Sequence, residues 1–161
     1  MIVIVAGSRT ITDYALVKSA IEDSGFKITT QVSGHAQPRK QEDWQPSVDL
    51  LGERWAKENG LNPKLFIAPW TRYGKSAGMI RNGWMAEYAA TCSEGGALVA
   101  LIENSSSGSV NMVEQADKRR LSLFVRRYET GVGLVKETRI ERTRRTDVDL
   151  VSSVGWLDLG K

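Results

Sequence analysis

The triplet Gly74-Lys75-Ser76 has the letters of a phosphate-binding loop, in which a lysine and a hydroxyl group follow a glycine. A loop of the ATPase kind also needs a glycine five residues before the Gly-Lys pair, because backbone N–H groups surround the phosphates along the whole loop. That position is Pro69, which has no N–H to donate. The triplet is therefore not predicted to form an ATPase loop, although Lys75 remains a candidate for binding an anion.

Two other short segments combine glycine with serine or arginine. Gly7-Ser8-Arg9 ends an apolar, β-branched run, and residues 105–109 (SSSGS) precede a stretch with helical periodicity. Such loops can bind a phosphate through backbone N–H groups and the N-terminus of a helix. Each is also typical of an ordinary turn or a flexible connection. The dinucleotide fingerprint Gly-x-Gly-x-x-Gly is absent after the first run, so NAD is not predicted as a redox cofactor.

Arg81 and Trp70 are candidates for different parts of a ligand. Arg81 lies early in a predicted helix, where a cation gains nothing from the helix dipole. This position favours an anionic partner for Arg81, with an ordinary salt bridge as the alternative. Trp70 and Tyr73 could stack on a base or a sugar, or could cover the edge of a sheet. For Trp70 taken alone, packing in the core is the expected role.

The composition is that of a single soluble domain. The chain has 161 residues, of which 41% are hydrophobic, and it contains no apolar run of transmembrane length. Its first residues lack the features of a signal peptide, so we expect a cytoplasmic protein that does not bind membranes. Cys92 and His35 are the only cysteine and histidine, which excludes an intrachain disulfide. We accordingly predict neither a metal site nor a cofactor.

Strand and helix patterns alternate along the first 125 residues. Buried strands are predicted at 2–6, 28–33, 64–68, 97–102 and 121–125. Helices are predicted from a cap at Thr12 or Asp13 to Gly25, from Ser47 to Asn59, from Ser76 or Ala77 to Ala90, and around Met112. This alternation predicts an α/β fold with a Rossmann-like, doubly wound parallel sheet, in which ligands bind at the carboxyl ends of the strands.

The chain changes character after Tyr128. We predict a nucleotide-binding domain over residues 1–128, with a polar insertion at about 35–47, and a C-terminal β-rich extension over residues 129–161. The alternation at 131–142 indicates a hairpin or edge strand that packs on the domain or on a neighbouring subunit, and a homo-oligomer is the expected state. Residues 118–145 carry ten Lys or Arg against three acidic residues, which suits nucleic acid, another phosphate-rich ligand or a solvated face.

Four segments together resemble a known family. They are residues 2–14 (IVIVAGSRTITDY), 32–34 (VSG) with 48–61 (VDLLGERWAKENGL), 68–89 (APWTRYGKSAGMIRNGWMAEYA) and 107–112 (SGSVNM). The sequence resembles the YspA-like branch of the SLOG superfamily, a Rossmann-like group that includes the Lonely Guy phosphoribohydrolases and the DprA domain. The resemblance implies a nucleotide site; with the stacking and loop candidates above, the predicted ligand-binding residues are Gly7, Ser8, Arg9, Gly34, Asp49, Trp70, Lys75, Gly78, Arg81, Asn82, Ser107, Gly108 and Ser109.

The same resemblance leaves the chemistry of the site open. The Lonely Guy enzymes cleave an N-glycosidic bond with an arginine, which Arg81 matches, and a glutamate, whose position is taken here by Met112. A methionine cannot act as an acid or a base, so a binding protein for a nucleotide or nucleotide-derived signal is predicted, acting as sensor, sponge or regulatory module. The alternative is an N-glycoside hydrolase or transferase that uses Arg81 and Glu103. A second alternative is a nucleic-acid-binding protein that uses the basic segment.

Overall fold

A computed structural model describes residues 1–38 and 45–143 of the chain. The strands in chain order, β1 to β6, are Ile2–Gly7, Thr30–Ser33, Lys64–Leu65, Gly96–Glu103, Ser122–Glu129 and Gly133–Ile140. The helices, α1 to α5, are Tyr14–Ser24, Val48–Glu58, Trp70–Tyr73, Ala77–Ala90 and Ser107–Lys118. A single turn of 3₁₀-helix, Gly74–Ser76, joins α3 to α4.

The predicted helix boundaries have clear local causes. The Asp13 side chain accepts a hydrogen bond from the backbone N–H of Ala15 at 2.9 Å and so caps α1, which ends at Gly25 with a left-handed φ of 71°. The Ser47 hydroxyl caps α2 by accepting from the N–H of Leu50 at 3.4 Å. Both caps were predicted from the sequence, and both are confirmed.

The six strands form one sheet in the order β3-β2-β1-β4-β5-β6. The first five strands run parallel, and β1 lies in the middle with Val3, Ile4 and Val5 fully buried. One face of the sheet is covered by α1 and α2, and the other by α4 and α5. The predicted α/β, Rossmann-like architecture is therefore confirmed at the level of the fold.

The C-terminal part contains the predicted edge strand but does not form a separate extension within the described residues. Strand β5 continues to Glu129, past the boundary placed after Tyr128, and β6 pairs with it antiparallel along its whole length. The sheet is therefore mostly rather than wholly parallel. A separate β-rich extension is not confirmed, because β6 belongs to the same sheet, and residues 144–161 lie outside the described part. None of the described helices is long and apolar enough to cross a membrane.

The chain connections leave β1 and β4 toward opposite faces of the sheet. From β1 the chain passes over one face, through α1 and α2, to the edge strand β3. It then returns over the other face, through α4, to pair β4 with the free side of β1. Because the helices on the two sides leave in opposite directions, a crevice opens beyond the carboxyl ends of these two strands, where ligands bind in open α/β sheets.

Candidate functional site

A cleft of about 950 Å³ occupies this divergence point. Residues from β1, α2, α4, β4, α5 and their loops line it. They include most of the ligand-binding and catalytic candidates that the sequence suggested, namely Gly7, Ser8, Arg9, Asp49, Trp70, Lys75, Gly78, Arg81, Asn82, Glu103, Ser107, Gly108 and Ser109. Gly34 is not part of the lining, but its carbonyl group holds Arg81 in place.

The floor of the cleft is built where β1 and β4 end side by side. A Cβ atom on Gly7 would lie 2.2 Å from the carbonyl oxygen of Leu101, so only glycine lets the two strands approach this closely. The next residue, Ser8, donates its N–H to the same oxygen at 3.0 Å. Its hydroxyl accepts from the N–H of Glu103 at 2.9 Å. These contacts fix the end of β4 against the loop that carries Arg9.

Two consecutive residues in the first turns of α4 join the loops on either side of the cleft. Arg81 donates through Nη1 to the carbonyl oxygen of Gly34, and through Nε to Asn82 Oδ1 at 3.1 Å. Asn82 donates to the carbonyl oxygen of Gly108 at 3.2 Å and to Asn111 Oδ1 at 3.1 Å. Within the described residues Nη2 of Arg81 has no hydrogen-bond partner, which leaves one edge of the guanidinium for a ligand.

Charge in this part of the cleft is only partly balanced. Burial lowers the pKa of Arg81, although the carboxylate of Asp49 acts in the opposite direction, and the nearby cation Arg9 lowers it further. Burial also raises the pKa of Asp49, against the N–H groups of Ala36 and Gly7 that stabilise its charged form. A desolvated cation next to a second cation is a favourable place for an anionic group of a ligand.

The loop after β2 is held by side chains of α2, one of which the sequence argument missed. The hydroxyl of Ser47 donates to the carbonyl oxygen of Ala36 at 2.6 Å. Glu53, only 6% exposed, accepts from the hydroxyl of Ser33 at 2.7 Å and lies 2.7 Å from Nδ1 of His35. The spacing of Asp49 and Glu53, four residues apart on one helix face, could have indicated this role.

The polar insertion begins and ends at the cleft. Ala36, Pro38 and Gln45 belong to its lining, so the described ends of the insertion lie beside the cleft. Residues 39–44 of the insertion lie outside the described part of the chain.

The segment Trp70–Ser76 contributes one aromatic and one cationic side chain. The indole of Trp70 lines the cleft and lies 3.5 Å from the position of a Cβ on Gly78, yet it is 52% exposed. Core packing, the role expected for Trp70 alone, is therefore wrong. Lys75 also lines the cleft, from the 3₁₀ turn. Tyr73 turns instead toward Trp84, with ring centroids 6.5 Å apart.

The N-terminus of α5 closes the cleft with small residues. Ser107, Gly108 and Ser109 form its first turn, and no atom of the described residues lies within 4 Å of a Cβ built on Gly108. The backbone N–H groups of such a turn are unsatisfied within the helix and carry a partial positive charge. Met112, one turn later, is 1% exposed and lines the floor, so this helix supplies no acid or base at that position.

Arginines of the basic segment attach β6 to the domain. Arg126 contacts Asp23 at 2.6 Å and Glu137 at 2.9 Å. Arg139 donates to two carbonyl oxygens at the end of α1, and Arg142 donates to the carbonyl oxygen of Leu121 at 2.9 Å. These contacts explain part of the local charge excess without any nucleic acid.

A comparison with known protein families finds no match to the chain, and comparisons with curated proteins and with solved structures find none either. The fold and the cleft define the protein as a Rossmann-like α/β protein with a cleft at its topological switch point. The groups that this cleft brings together are therefore the basis of the function proposed below.

Proposed function

We propose that the protein binds a nucleotide or nucleotide-derived ligand in the cleft at the ends of β1 and β4, as a cytoplasmic sensor, sponge or regulatory module. The observation that carries the proposal is the convergence of Arg9, Lys75 and Arg81 with the N-terminus of α5 in one cleft. Cations and free backbone N–H groups bind phosphate, and their convergence supplies several of them within reach of one ligand.

An apolar part of the cleft lining suits a flat ring. Trp70 and Met79 line it, and both side chains are about half exposed, so they offer an apolar surface that no described residue fully covers. Aromatic rings and thioethers contact a nucleobase favourably through its π face. Cationic side chains and an apolar surface within one cleft match the phosphate and the base of a nucleotide.

The first test is a thermal-shift panel of inorganic phosphate, pyrophosphate, nucleoside mono- and diphosphates, cyclic nucleotides and ADP-ribose. A ligand at one hundred times its Kd stabilises the folded state by about 2.7 kcal/mol, which raises the melting temperature by roughly 5–10 °C for a domain of this size. We expect the shift to fall in Lys75→Ala and to persist in Lys118→Ala, which removes an exposed lysine outside the cleft. No shift with any of these compounds would contradict the proposal.

Catalysis is the second candidate, and Glu103 is the observation that favours it. Its side chain shares the cleft with Arg81, so an acid and a cation are both within the site. Hydrolysis or transfer at an N-glycosidic bond would release free base from a nucleotide. Chromatography after incubation with each binding nucleotide detects that base. Release that is lost in both Arg81→Ala and Glu103→Gln would replace pure binding by catalysis as the conclusion.

Nucleic-acid binding by the basic segment is the third candidate function. Its test is a DNA and RNA gel-shift assay at two salt concentrations, because phosphate contacts weaken steeply as salt rises. Since Arg126, Arg139 and Arg142 already bind groups of the protein itself, we expect no shift at low salt.

We further propose that a second copy of the chain covers an apolar surface beside the cleft. This β3–α4 surface consists of exposed side chains that are 36–60% accessible and do not line the cleft, namely Leu65, Ile67, Tyr73 and Trp84. Their exposed area is roughly 350 Å², taking 150–250 Å² for each aromatic side chain and a little less for the others. An interface of standard size buries about 800 Å² per partner, of which about 65% is apolar in homodimers, so this surface would supply most of the apolar area that one copy needs.

A further inference from the structure

Two carboxylates line the cleft within the described residues, and they differ in what they bind. Asp49 is buried and accepts a hydrogen bond from the N–H of Ala36 at 3.1 Å. The carboxylate of Glu103 has no hydrogen-bond or ion-pair partner in the described part of the chain, although the same cleft holds three cations. A carboxylate accepts up to about four hydrogen bonds, so the whole acceptor capacity of Glu103 is available to a ligand.

The main chain around Glu103 is held on both sides. Its N–H donates to the hydroxyl of Ser8 at 2.9 Å. The following residue, Asn104, has a left-handed φ of 54° and donates its N–H to the carbonyl oxygen of Tyr128 at 2.9 Å. The Asn104 amide also donates to the hydroxyl of Thr130 at 2.9 Å and accepts from its N–H at 3.2 Å. The carboxylate of Glu103 therefore projects from a fixed point at the end of β4.

The side chain of Glu103 and the helix that carries Arg81 lie on different faces of the sheet. Glu103 follows Val99 and Leu101 in the alternation of β4, and those side chains pack on the face covered by α1 and α2. Arg81 comes from α4, which covers the other face. A ligand that reaches both needs negative charge at Arg81 and hydrogen-bond donors without negative charge at Glu103, because a second phosphate there would be repelled.

A vicinal diol has the donors that such a carboxylate requires. Two neighbouring hydroxyl groups can donate to one carboxylate, and an acidic residue binds the ribose 2′-hydroxyl in this way in dinucleotide-binding folds. In those folds the acid ends the second strand, and here β2 ends in Ser33. The carboxylate at the end of β4 lies on the opposite side of β1 from the end of β2.

We propose that Glu103 binds the cis-diol of the ligand and thereby selects ribose over 2′-deoxyribose. The site then takes anionic ligands with a free diol, such as ribonucleoside 5′-phosphates, and rejects their 2′-deoxy counterparts. This inference rests on the proposed nucleotide-binding function, which it narrows to one sugar.

Isothermal titration calorimetry tests the proposal with the four common ribonucleoside 5′-monophosphates, inosine 5′-monophosphate and the corresponding 2′-deoxy compounds. The proteins are the wild type, Glu103→Ala, Glu103→Gln and the control Glu114→Ala, which removes an exposed carboxylate of α5 outside the cleft lining. In the wild type we expect ribonucleotides to bind about ten- to a hundredfold more tightly than deoxyribonucleotides. This preference should disappear in Glu103→Ala, shrink in Glu103→Gln and persist in Glu114→Ala.

Four results would overturn the proposal. Equal binding of ribo and deoxy compounds by the wild type would leave the nucleotide function standing and remove the role of Glu103. A preference that survives in Glu103→Ala would assign diol recognition to another residue. Loss of affinity in Glu103→Ala for adenosine but not inosine phosphate, whatever the sugar, would make the carboxylate a contact of the exocyclic amine. If no nucleotide binds at all, the proposed function itself fails, and the inference falls with it.

Discussion

Arg81 depends on a neighbour that has no side chain. A Cβ on Gly34 would lie 2.7 Å from Nη1 of Arg81 and 3.0 Å from Oδ2 of Asp49. The glycine thus leaves the space beside its Cα that the guanidinium of Arg81 and the carboxylate of Asp49 occupy. The sequence could place these residues at strand and helix ends, but not show that they share this space, because they lie 15 to 47 positions apart.

Gly34→Ala should weaken ligand binding more than it weakens the fold. The added methyl group meets the end of a flexible side chain, so Arg81 moves aside and loses its bond to the Gly34 carbonyl. We expect about a tenfold loss of affinity for the tightest-binding nucleotide, the usual effect of one charge-assisted hydrogen bond. Gly83→Ala is the control, because a methyl group there meets only ordinary contacts and Gly83 does not line the cleft. Equal affinities in both variants would contradict this role of Arg81.

Asp49 gives the stability a pH dependence with a definite sign. Burial raises its pKa above the ordinary 3.8, so the folded state holds this proton at a pH where the unfolded chain has released it. The stability that this proton brings is present at low pH and is lost as pH rises from about 3.8 through the raised pKa. Asp49→Asn should therefore become more stable relative to the wild type as pH rises. Urea unfolding of both proteins at pH 4 and pH 7 measures this, and a difference that shrinks with pH would refute the sign.

At the scale of elements, strand β6 is attached to the domain, besides its pairing with β5, largely by hydrogen bonds of arginine side chains and not by a buried apolar face. Most of its side chains are exposed, and Arg139 reaches from it to the carbonyl oxygens of Asp23 and Ser24 at 2.6 and 2.7 Å. These are groups at the C-terminal end of α1, where a cation also interacts well with the helix dipole. Arg139 thus attaches β6 by hydrogen bonds to the C-terminal end of α1.

Arg139→Ala should lower the free energy of unfolding by about 1–2 kcal/mol, since two hydrogen bonds to helix-terminal carbonyl groups are lost. Lys136→Ala is the matched control on the same strand, because Lys136 is exposed and has no hydrogen-bond or ion-pair partner in the described part of the chain. Its expected effect is below about 0.5 kcal/mol. Urea unfolding curves of both variants give the comparison, and equal losses would rule out the capping role of Arg139.

Element types were predictable where the apolar pattern was long. The continuous apolar run at 97–102 predicted β4, and the capping residues Asp13 and Ser47 predicted the starts of α1 and α2. The third strand was predicted at 64–68, but pairing ends at Leu65, and Ile67 is 60% exposed. The apolar residues 65–68 indicated a buried strand, but after Leu65 the chain leaves the edge of the sheet and Ile67 is exposed. The one-turn helix Trp70–Tyr73 was missed because four residues carry no periodic signal.

For the whole molecule, the apolar pattern of the sequence was informative about the interior and silent about the surface. The parallel sheet and a ligand site at the carboxyl ends of its strands follow from strand–helix alternation, whereas the strand order, with β1 in the middle, was not predicted. The bonds from α2 to the loop after β2, and those from α4 to two loops, depend on contacts between residues far apart in the chain. The resemblance to the SLOG superfamily and the identity of the ligand remain predictions.

Assembly is also a property of the whole molecule. If a second copy covers the β3–α4 surface, multi-angle light scattering should give the mass of a dimer at about 100 μM, and Ile67→Asp should give a monomer, because it buries a charge in an apolar interface. Val132→Asp is the control, since Val132 is 70% exposed on the far edge of the sheet. A wild-type monomer at this concentration would contradict the proposed assembly.

The bonds of Arg81 and Asn82 have a mechanical consequence. One residue holds the loop after β2 and the next holds the start of α5, so both walls are attached to the same helical turn. Because both contacts come from one turn of α4, this turn determines the distance between the loop after β2 and the start of α5. That distance limits the thickness of a ligand that enters between them, and a change in the pitch of the turn would move both walls together.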